Sequence, residues 1–431
     1  MEDSSGTATF RTAPLLWTTS GEVLENGIIL DLVAADRDAL QILSWDKSGK
    51  SSIAPVFDAG GGKLYGPPHV EPSVREAIMF PKGVAEYGTV PELFMKLSGL
   101  CREHVGLPED AAAFATCWIL STWIPELLLI PFTLCICAGS TRQVYKWFRL
   151  LRSLCRRSLL VAELSRRLPL FLNPTLIIND PTLSISTCTF WRSANCHGVY
   201  VAGPGGTLSS LCCPKAIALQ PGDFPQVWGE EAMVIMLPDS ESPPLRQAAL
   251  MSIADELQPQ LEMFRLRRLS GMDQFVSPTH PLSRFELARN LGPCIPEDPG
   301  IVRVLTPLLE SHEQNIAAQR SCDPEVAILE AIWTPSHERE EMAVGEIAKR
   351  ANAILRSRGV THEYSVREIG WKLRALSMHT TSNGRHKVLR FSVAVRTRLH
   401  DYVRKPGPQL PFREDCADCQ ALQATDKKPD K

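Results

Sequence analysis

Apolar positions fall into two rhythms along the chain, short continuous runs and runs with helical spacing, and they alternate most clearly between residues 127 and 181. Residues 127–137 form an apolar run that ends at Ala138-Gly139-Ser140-Thr141, the pattern of a buried strand entering a turn. Trp147, Phe148, Leu151 and Leu154 then recur at helical spacing, with Lys146, Arg149, Arg152 and Arg156 off that stripe. Past a second basic segment, residues 174–180 give an apolar strand closing on a carboxylate. The predicted order is strand, loop, basic helix, buried strand.

The same patterns extend to both sides. Residues 15–70 read as β-rich, with strands at 27–33 and 39–45 and turns at 46–50 and at the triplet Gly60-Gly61-Gly62. The triplet lacks a following Ser or Thr and an apolar helix, so it is a turn and not a phosphate loop. Helices are expected over 73–105, with Pro91 and Glu92 at a helix start, and over 108–123. Residues 184–190, 198–202 and 232–237 are expected to add strands to a mainly parallel sheet. Beyond the linker 238–244, helices are expected at 245–269, bent at Pro259, and at 283–309 and 324–333.

The C-terminal pattern is the sharpest. Residues 341–357 are amphipathic and Gly359 is placed to end that helix. Ser365-Val366-Arg367-Glu368 is a capping box, and Val366, Ile369, Leu373 and Leu376 make the next stripe. Residues 382–386 supply a hairpin turn, 387–391 a strand, and Ser392 can cap a last helix through Val403. Two helices, a hairpin and a helix are the plan of a winged helix.

Strand, loop, basic helix and second strand are also the skeleton of a P-loop nucleotide site. Such a loop needs two glycines so that backbone N–H groups wrap the phosphates, a Lys for their charge and a Ser or Thr for magnesium. Setting Arg149-Leu150-Leu151 in register puts Ala138 at the first glycine, Gln143 at the second, Val144 at the lysine and Tyr145 at the hydroxyl. On the second strand the usual Asp-Glu pair reads Asn179-Asp180. The remnant is therefore Ala138, Gly139, Gln143, Val144, Tyr145, Lys146, Asn179 and Asp180, with no confident catalytic residue; ATP and magnesium are expected only if the loop works.

Charge and cysteines refine this picture. Forty-six basic residues nearly balance 48 acidic ones, so the whole molecule is no polybasic binder, and local patches decide. Arg149, Arg152, Arg156, Arg157, Arg166 and Arg167 face only Glu163 in their segment; a phosphate surface and a solvated helix face are both open readings. Over 361–405, ten basic residues oppose three acidic ones, a local charge of +7, and Arg367, Lys372, Arg374, Arg385, Lys387 and Arg390 are the candidate nucleic-acid contacts. A protein-docking winged helix is the alternative.

Thirteen scattered cysteines behind an acidic, polar start read as reduced thiols of a cytoplasmic protein. Cys416-x-x-Cys419 has no second pair nearby, and His379, His386 and His400 are isolated, so no metal site is predicted. Pro125, Glu126 and Pro131 interrupt the apolar region 108–137, which favours a helix and a strand of a core over a membrane span.

The expected division is a small β module over 1–72, a P-loop NTPase-like α/β core over 73–240, a helical connector or lid over 241–335, a winged-helix-like domain over 336–405 and a disordered tail over 406–431. Over roughly residues 75–405 the chain resembles the P-loop ATPase and helicase-like proteins of bacterial mobile elements and phages, including primase-helicase chains that end in a winged-helix-like domain. The resemblance rests on residues 174–180, 213–218, Phe264-Arg265-Leu266 and the C-terminal run from 369–373 to Arg398-Leu399-His400. Such ATPases often carry an arginine before the strand at 233–237, where this chain has Glu230-Glu231. The resemblance implies a non-catalytic or weakly active ATPase-like protein in replication or maintenance of a mobile element, binding nucleic acid, preferentially DNA, and assembling as a homo-oligomer or with a partner ATPase. An active NTPase using Lys146 or the arginines, and a winged-helix transcriptional regulator, are the competing functions.

Overall fold

The computed structural model describes residues 15–34, 39–163, 168–180, 185–202, 208–219, 232–239, 245–271, 280–384, 386–404, 416–417 and 419–420. Arg166, Arg167, Glu230, Glu231 and Arg385, and most of the tail expected to be disordered, lie outside these residues. The chain divides into two compact units, residues 1–310 and 311–431. No helix among the described residues is long and apolar enough to cross a membrane.

The alternating residues at the start of the first unit form β1 (Leu15–Thr18), β2 (Glu22–Val23), β3 (Ile29–Val33), β4 (Gln41–Trp45), β5 (Ser51–Ala54), β6 (Phe57–Asp58) and β7 (Lys63–Gly66). They make a three-stranded sheet β1-β7-β6 and an antiparallel sheet β2-β3-β4-β5. The glycine triplet is the β6–β7 turn: all three residues have positive φ in open space, a conformation that suits glycine. All five residues of β3 are buried, so both of its faces are covered. Leu30 and Leu32 join one apolar cluster, whereas Ile29 and Val33 join another with Met263, Leu266 and Leu269.

Next come α1 (Pro72–Ala77), α2 (Val90–Val105), α3 (Glu109–Ser121), β8 (Thr133–Ala138), α4 (Thr141–Leu154), β9 (Ser158–Val161), β10 (Thr175–Ile178), α5 (Ile185–Ser193), β11 (Tyr200–Ala202), β12 (Leu208–Ser210), β13 (Lys215–Leu219) and β14 (Ala232–Leu237). Thr89 and Glu92 form a reciprocal capping box at the start of α2, and Gly106 at φ 80° ends it. Strands β8, β9, β10, β13 and β14 form one all-parallel sheet in the order β14-β8-β13-β10-β9. Counted along the chain that order is 5-1-4-3-2. This is the α/β, P-loop NTPase-like sheet expected from the sequence, with helices packed on it.

Three local expectations are corrected. The strand expected from residue 127 begins only at Thr133, because Pro125 opens a 3-10 turn and Pro131 cannot donate to a ladder, leaving Leu129 83% exposed. Residues 184–190, an apolar run between Gly and Pro breaks, are expected as a strand, but Ile185–Ser193 is α5. Its buried Cys188 and Trp191 are followed by Ala194, a spacing of three that extends past the apolar run. The strand at 198–202 lies outside the central sheet, paired with β12, and two of its three residues are exposed.

The unit continues with α6 (Gln247–Ser270), which carries Pro259 inside it, and α7 (Glu286–Leu291). A 3-10 turn at Gly292–Cys294 breaks the helix expected over 283–309, and α8 (Pro299–Ser321) follows. Buried charge accompanies this packing. Asp31 of β3 accepts hydrogen bonds from Arg156 (3.0 Å), Arg157 and Arg265 Nε (2.5 Å), with every partner about 2% exposed or less. Arg265 also clasps Glu126 through two bonds, 2.7 and 2.8 Å.

The second unit holds α9 (Pro324–Glu338), β15 (Glu341–Ala343), α10 (Val344–Ser357), α11 (Val366–Ala375), β16 (Thr380–Ser382), β17 (Lys387–Arg390) and α12 (Val393–Arg404). Strands pair antiparallel in the order β15-β17-β16. The helix expected from residue 341 starts at Val344, because Met342 pairs with Leu389 in the sheet and is buried there. Gly359 at φ 83° follows α10, and both halves of the Ser365–Glu368 capping box are formed. Ile347, Ala351, Leu355, Ile369, Leu373, Leu389 and Leu399 are core residues of this unit.

Candidate nucleic-acid interface and nucleotide-site remnant

The residues expected to form a nucleotide-site remnant lie around the carboxyl ends of β8 and β10, where a parallel sheet offers a ligand crevice. Ala138 is the last residue of β8 and α4 begins at Thr141, so only Gly139 and Ser140 join strand to helix. Ser140 is the N-cap: its hydroxyl accepts from the Gln143 backbone at 3.4 Å and occupies one of the free N–H groups of the first turn. Two residues are too few for a chain that must circle a phosphate, whatever their type. Gln143 and Val144, at the second-glycine and lysine positions, are buried in that first turn, while Tyr145 is half exposed.

Electrostatics at the joint are also unfavourable to an anion. A Cβ placed on Gly139 would lie 3.2 Å from Asp239 Oδ1, so a carboxylate stands beside the loop. Asn179 and Asp180 follow β10, and the Asn179 N–H donates to Val161 O at 2.9 Å. Lys146 is buried; burial, then neighbouring Arg142, push its ammonium pKa down. It stands in the helix, not at the loop.

The described part of the basic segment after the loop divides between the interior and half-buried positions. Arg156 and Arg157 are each 1% exposed and bind Asp31. Arg149 donates to Leu245 O and Gln247, and Arg152 to Ala77 O. The described arginines of this segment thus bind the unit's own carbonyls and carboxylates, Arg156 and Arg157 in the interior and Arg149 and Arg152 at half-buried positions. Asp31 is 125 residues from Arg156, so no local spacing could have announced the pairing.

In the second unit the exposed face of α11 meets the β16–β17 hairpin. Arg367, Trp371 and Arg374 fall four and three residues apart, on the side of α11 opposite Ile369 and Leu373. With Val344, Thr380, His386 and Lys387 they line one groove. The Arg367 guanidinium lies 4.8 Å from the centroid of the Trp371 ring, which is 53% exposed. Of the six basic candidates, Arg367, Arg374 and Lys387 share this groove. Lys372 instead faces Glu325 (3.8 Å) and the Tyr364 ring, and Arg390 faces Glu341 (3.5 Å). Arg385 is outside the described residues.

A further group was not expected. His400, isolated by sequence spacing, lies beside His337, Cys416 and Cys419, and Cys419 is buried in the core although its segment was expected to be disordered. The Cys-x-x-Cys pair was the available signal. The histidine separation of 63 residues concealed the rest.

No protein-family model matches the chain, and no curated protein matches it. Among solved structures, an A-form apo structure of the NrS-1 C-terminal region aligns over 84% of this chain and 96% of its own, at 9% identity and a TM-score of 0.35. An apo structure of the same region aligns over the same shares at 10% identity and 0.35. Cdc6p from Pyrobaculum aerophilum aligns over 68% of this chain and 94% of its own, at 10% identity and 0.16. By its own strand order the first unit of the chain is an α/β protein with a P-loop NTPase-like parallel sheet.

Proposed function

We propose that the chain is a nucleic-acid-binding protein of replication or maintenance of a mobile element, in which a P-loop-like core serves as a scaffold without ATP turnover and a C-terminal winged helix contacts DNA. The observation that carries this reading is the groove of the second unit, where Arg367, Arg374 and Lys387 surround an exposed Trp371. Guanidinium and ammonium groups satisfy phosphates, and an indole face stacks on bases. The order α9, β15, α10, α11, β16, β17, with β15 on the free side of β17, supports the winged-helix reading and makes α11 the recognition helix. The two-residue joint at Gly139-Ser140 supports the scaffold role of the core. The mobile-element setting comes from the sequence resemblance.

The test is fluorescence anisotropy of labelled duplex and single-stranded DNA with the full chain across a salt series, with and without ATP and magnesium. Salt-sensitive binding that ATP leaves unchanged is expected. Absence of binding at low salt would overturn the interface, and ATP hydrolysis would overturn the scaffold.

A further inference from the structure

Two histidines and two cysteines from three distant parts of the second unit point their ligand atoms at one spot. His337 comes from α9, His400 from α12, and Cys416 and Cys419 from the segment beyond α12; the four atoms all lie within 4.8 Å of one another. The Nε2 atoms of His337 and His400 are 3.3 Å apart. Cys419 Sγ is 3.3 Å from His400 Nε2 and 3.6 Å from His337 Nε2, and Cys416 Sγ is 3.5 Å from His400 Nε2. A tetrahedral zinc ion, with bonds of about 2.3 Å to sulfur and about 2.0 Å to nitrogen, sets its ligand atoms about 3.3 Å apart for two nitrogens and about 3.5 Å for nitrogen and sulfur. The spacings agree.

The histidines are held in the state such an ion needs. His337 Nδ1 donates to Trp333 O at 2.9 Å and His400 Nδ1 to Arg396 O at 2.7 Å, each four residues back in its own helix. A carbonyl only accepts, so both protons sit on Nδ1 and both Nε2 lone pairs face inward. Two lone pairs at that distance repel unless an electrophile lies between them. The Trp333 ring packs against both imidazoles, at 4.9 and 5.0 Å between centroids, and fixes their planes. Zinc with two thiolates and two neutral imidazoles is electrically neutral, which suits a site where His400 and Cys419 are 3% and 1% exposed.

We propose that His337, His400, Cys416 and Cys419 bind one structural zinc ion that fastens the segment beyond α12 to α9. On binding, both thiols lose their protons to solvent and no electron is transferred. Four protein ligands close the coordination sphere, so the ion holds structure and offers no open position to a substrate.

The full chain, purified under reducing conditions, is assayed for metal by mass spectrometry, then stripped with chelator and titrated with cobalt(II). One zinc per chain is expected, with intense visible absorption of tetrahedral cobalt and a thiolate-to-cobalt charge-transfer band. Cys416→Ser and Cys419→Ser abolish stoichiometric zinc, while Cys322→Ser, on a thiol of the same unit outside the cluster, retains it. Zinc kept by both cluster variants, a six-coordinate cobalt spectrum without a thiolate band, or a metal-free chain carrying a Cys416–Cys419 disulfide would each overturn the site. Should the cluster variants fail to fold, the cobalt spectrum of the wild-type chain still decides.

Discussion

Asp31 and Arg265 lie 234 residues apart and share a 2.5 Å hydrogen bond in the interior of the first unit, where Arg156 and Arg157 bind the same carboxylate. Burial alone would raise the Asp31 pKa, but the three guanidinium groups outweigh it and hold the carboxyl well below the usual carboxylate range. Asp31→Asn leaves those cations without their shared anion. Removal of one partner from a buried pair costs about 3–5 kcal/mol. Urea denaturation monitored by tryptophan fluorescence measures it, and a loss below about 1 kcal/mol would show that the cluster is not a clamp.

Glu262 lies beside that cluster, is 1% exposed, and its Oε1 has no hydrogen-bond partner among the described residues. Burial first, and then the nearby Asp31 charge, push its pKa up to about 8 from 4.5. Between those values the folded chain keeps a proton that the unfolded chain has released. The stabilisation is therefore complete below pH 4.5 and lost as pH rises to about 8. Asp31 acts in the opposite sense: its contribution is present above pH 3.8 and lost as pH falls below that. Glu262→Gln should remove the decline between pH 4.5 and 8 from a pH series of melting temperatures. An unchanged slope would assign the decline to other groups.

Restoring the missing lysine should not restore a nucleotide site. Val144 is 6% exposed in the first turn of α4, and the joint before it has two residues. Val144→Lys is expected to bind no ATP in calorimetry with magnesium, and to lose on the order of 2 kcal/mol of stability through the buried ammonium. Micromolar ATP affinity in this variant would mean that the joint can open into a cradle.

The groove makes a graded forecast. Arg367→Ala and Lys387→Ala should each lower the slope of log affinity against log salt by about 0.9 on duplex DNA. Trp371→Ala should cost about 1–3 kcal/mol on single-stranded DNA, because stacking is lost. Lys372→Ala and Arg390→Ala, whose cations face Glu325 and Glu341, should change binding less. Equal losses at all five positions would indicate a diffuse basic surface instead of a groove.

Periodicity was most informative where short-range order decides the outcome. The Ser365–Glu368 box, Gly359 and, of the stripe, Ile369, Leu373 and Leu376 are local and lie where the spacing put them, whereas Val366, in the first turn of α11, is 52% exposed. Of the central sheet, β8, β10 and β14 were legible through their apolar runs, whereas β9 and β13 were not expected as strands and Ile185–Ser193, expected as one, is a helix whose Trp191 lies past the apolar run. Charge was harder. An arginine at 156 or 157 has the same appearance in sequence whether it meets water or Asp31, because its partner is contributed by a strand over a hundred residues earlier. His337 and His400 share that difficulty, and the Cys-x-x-Cys segment lacked only the two ligands that the fold supplies.

The 5-1-4-3-2 order of the parallel sheet also governs synthesis. Strand β8, buried throughout, is the first of the five to leave the ribosome, yet its two neighbours are β13 and β14, which end at Leu219 and Leu237. At about 5–20 residues per second, the hundred or so residues from β8 to the end of β14 take roughly 5–20 s. Until β13 has been made the nascent chain presents this strand with both edges bare, the edge that β14 covers stays bare to the end of the interval, and Asp31 is still waiting for Arg265. Chaperone demand should therefore peak late in translation of the first unit, and truncations ending before β13 should aggregate during production.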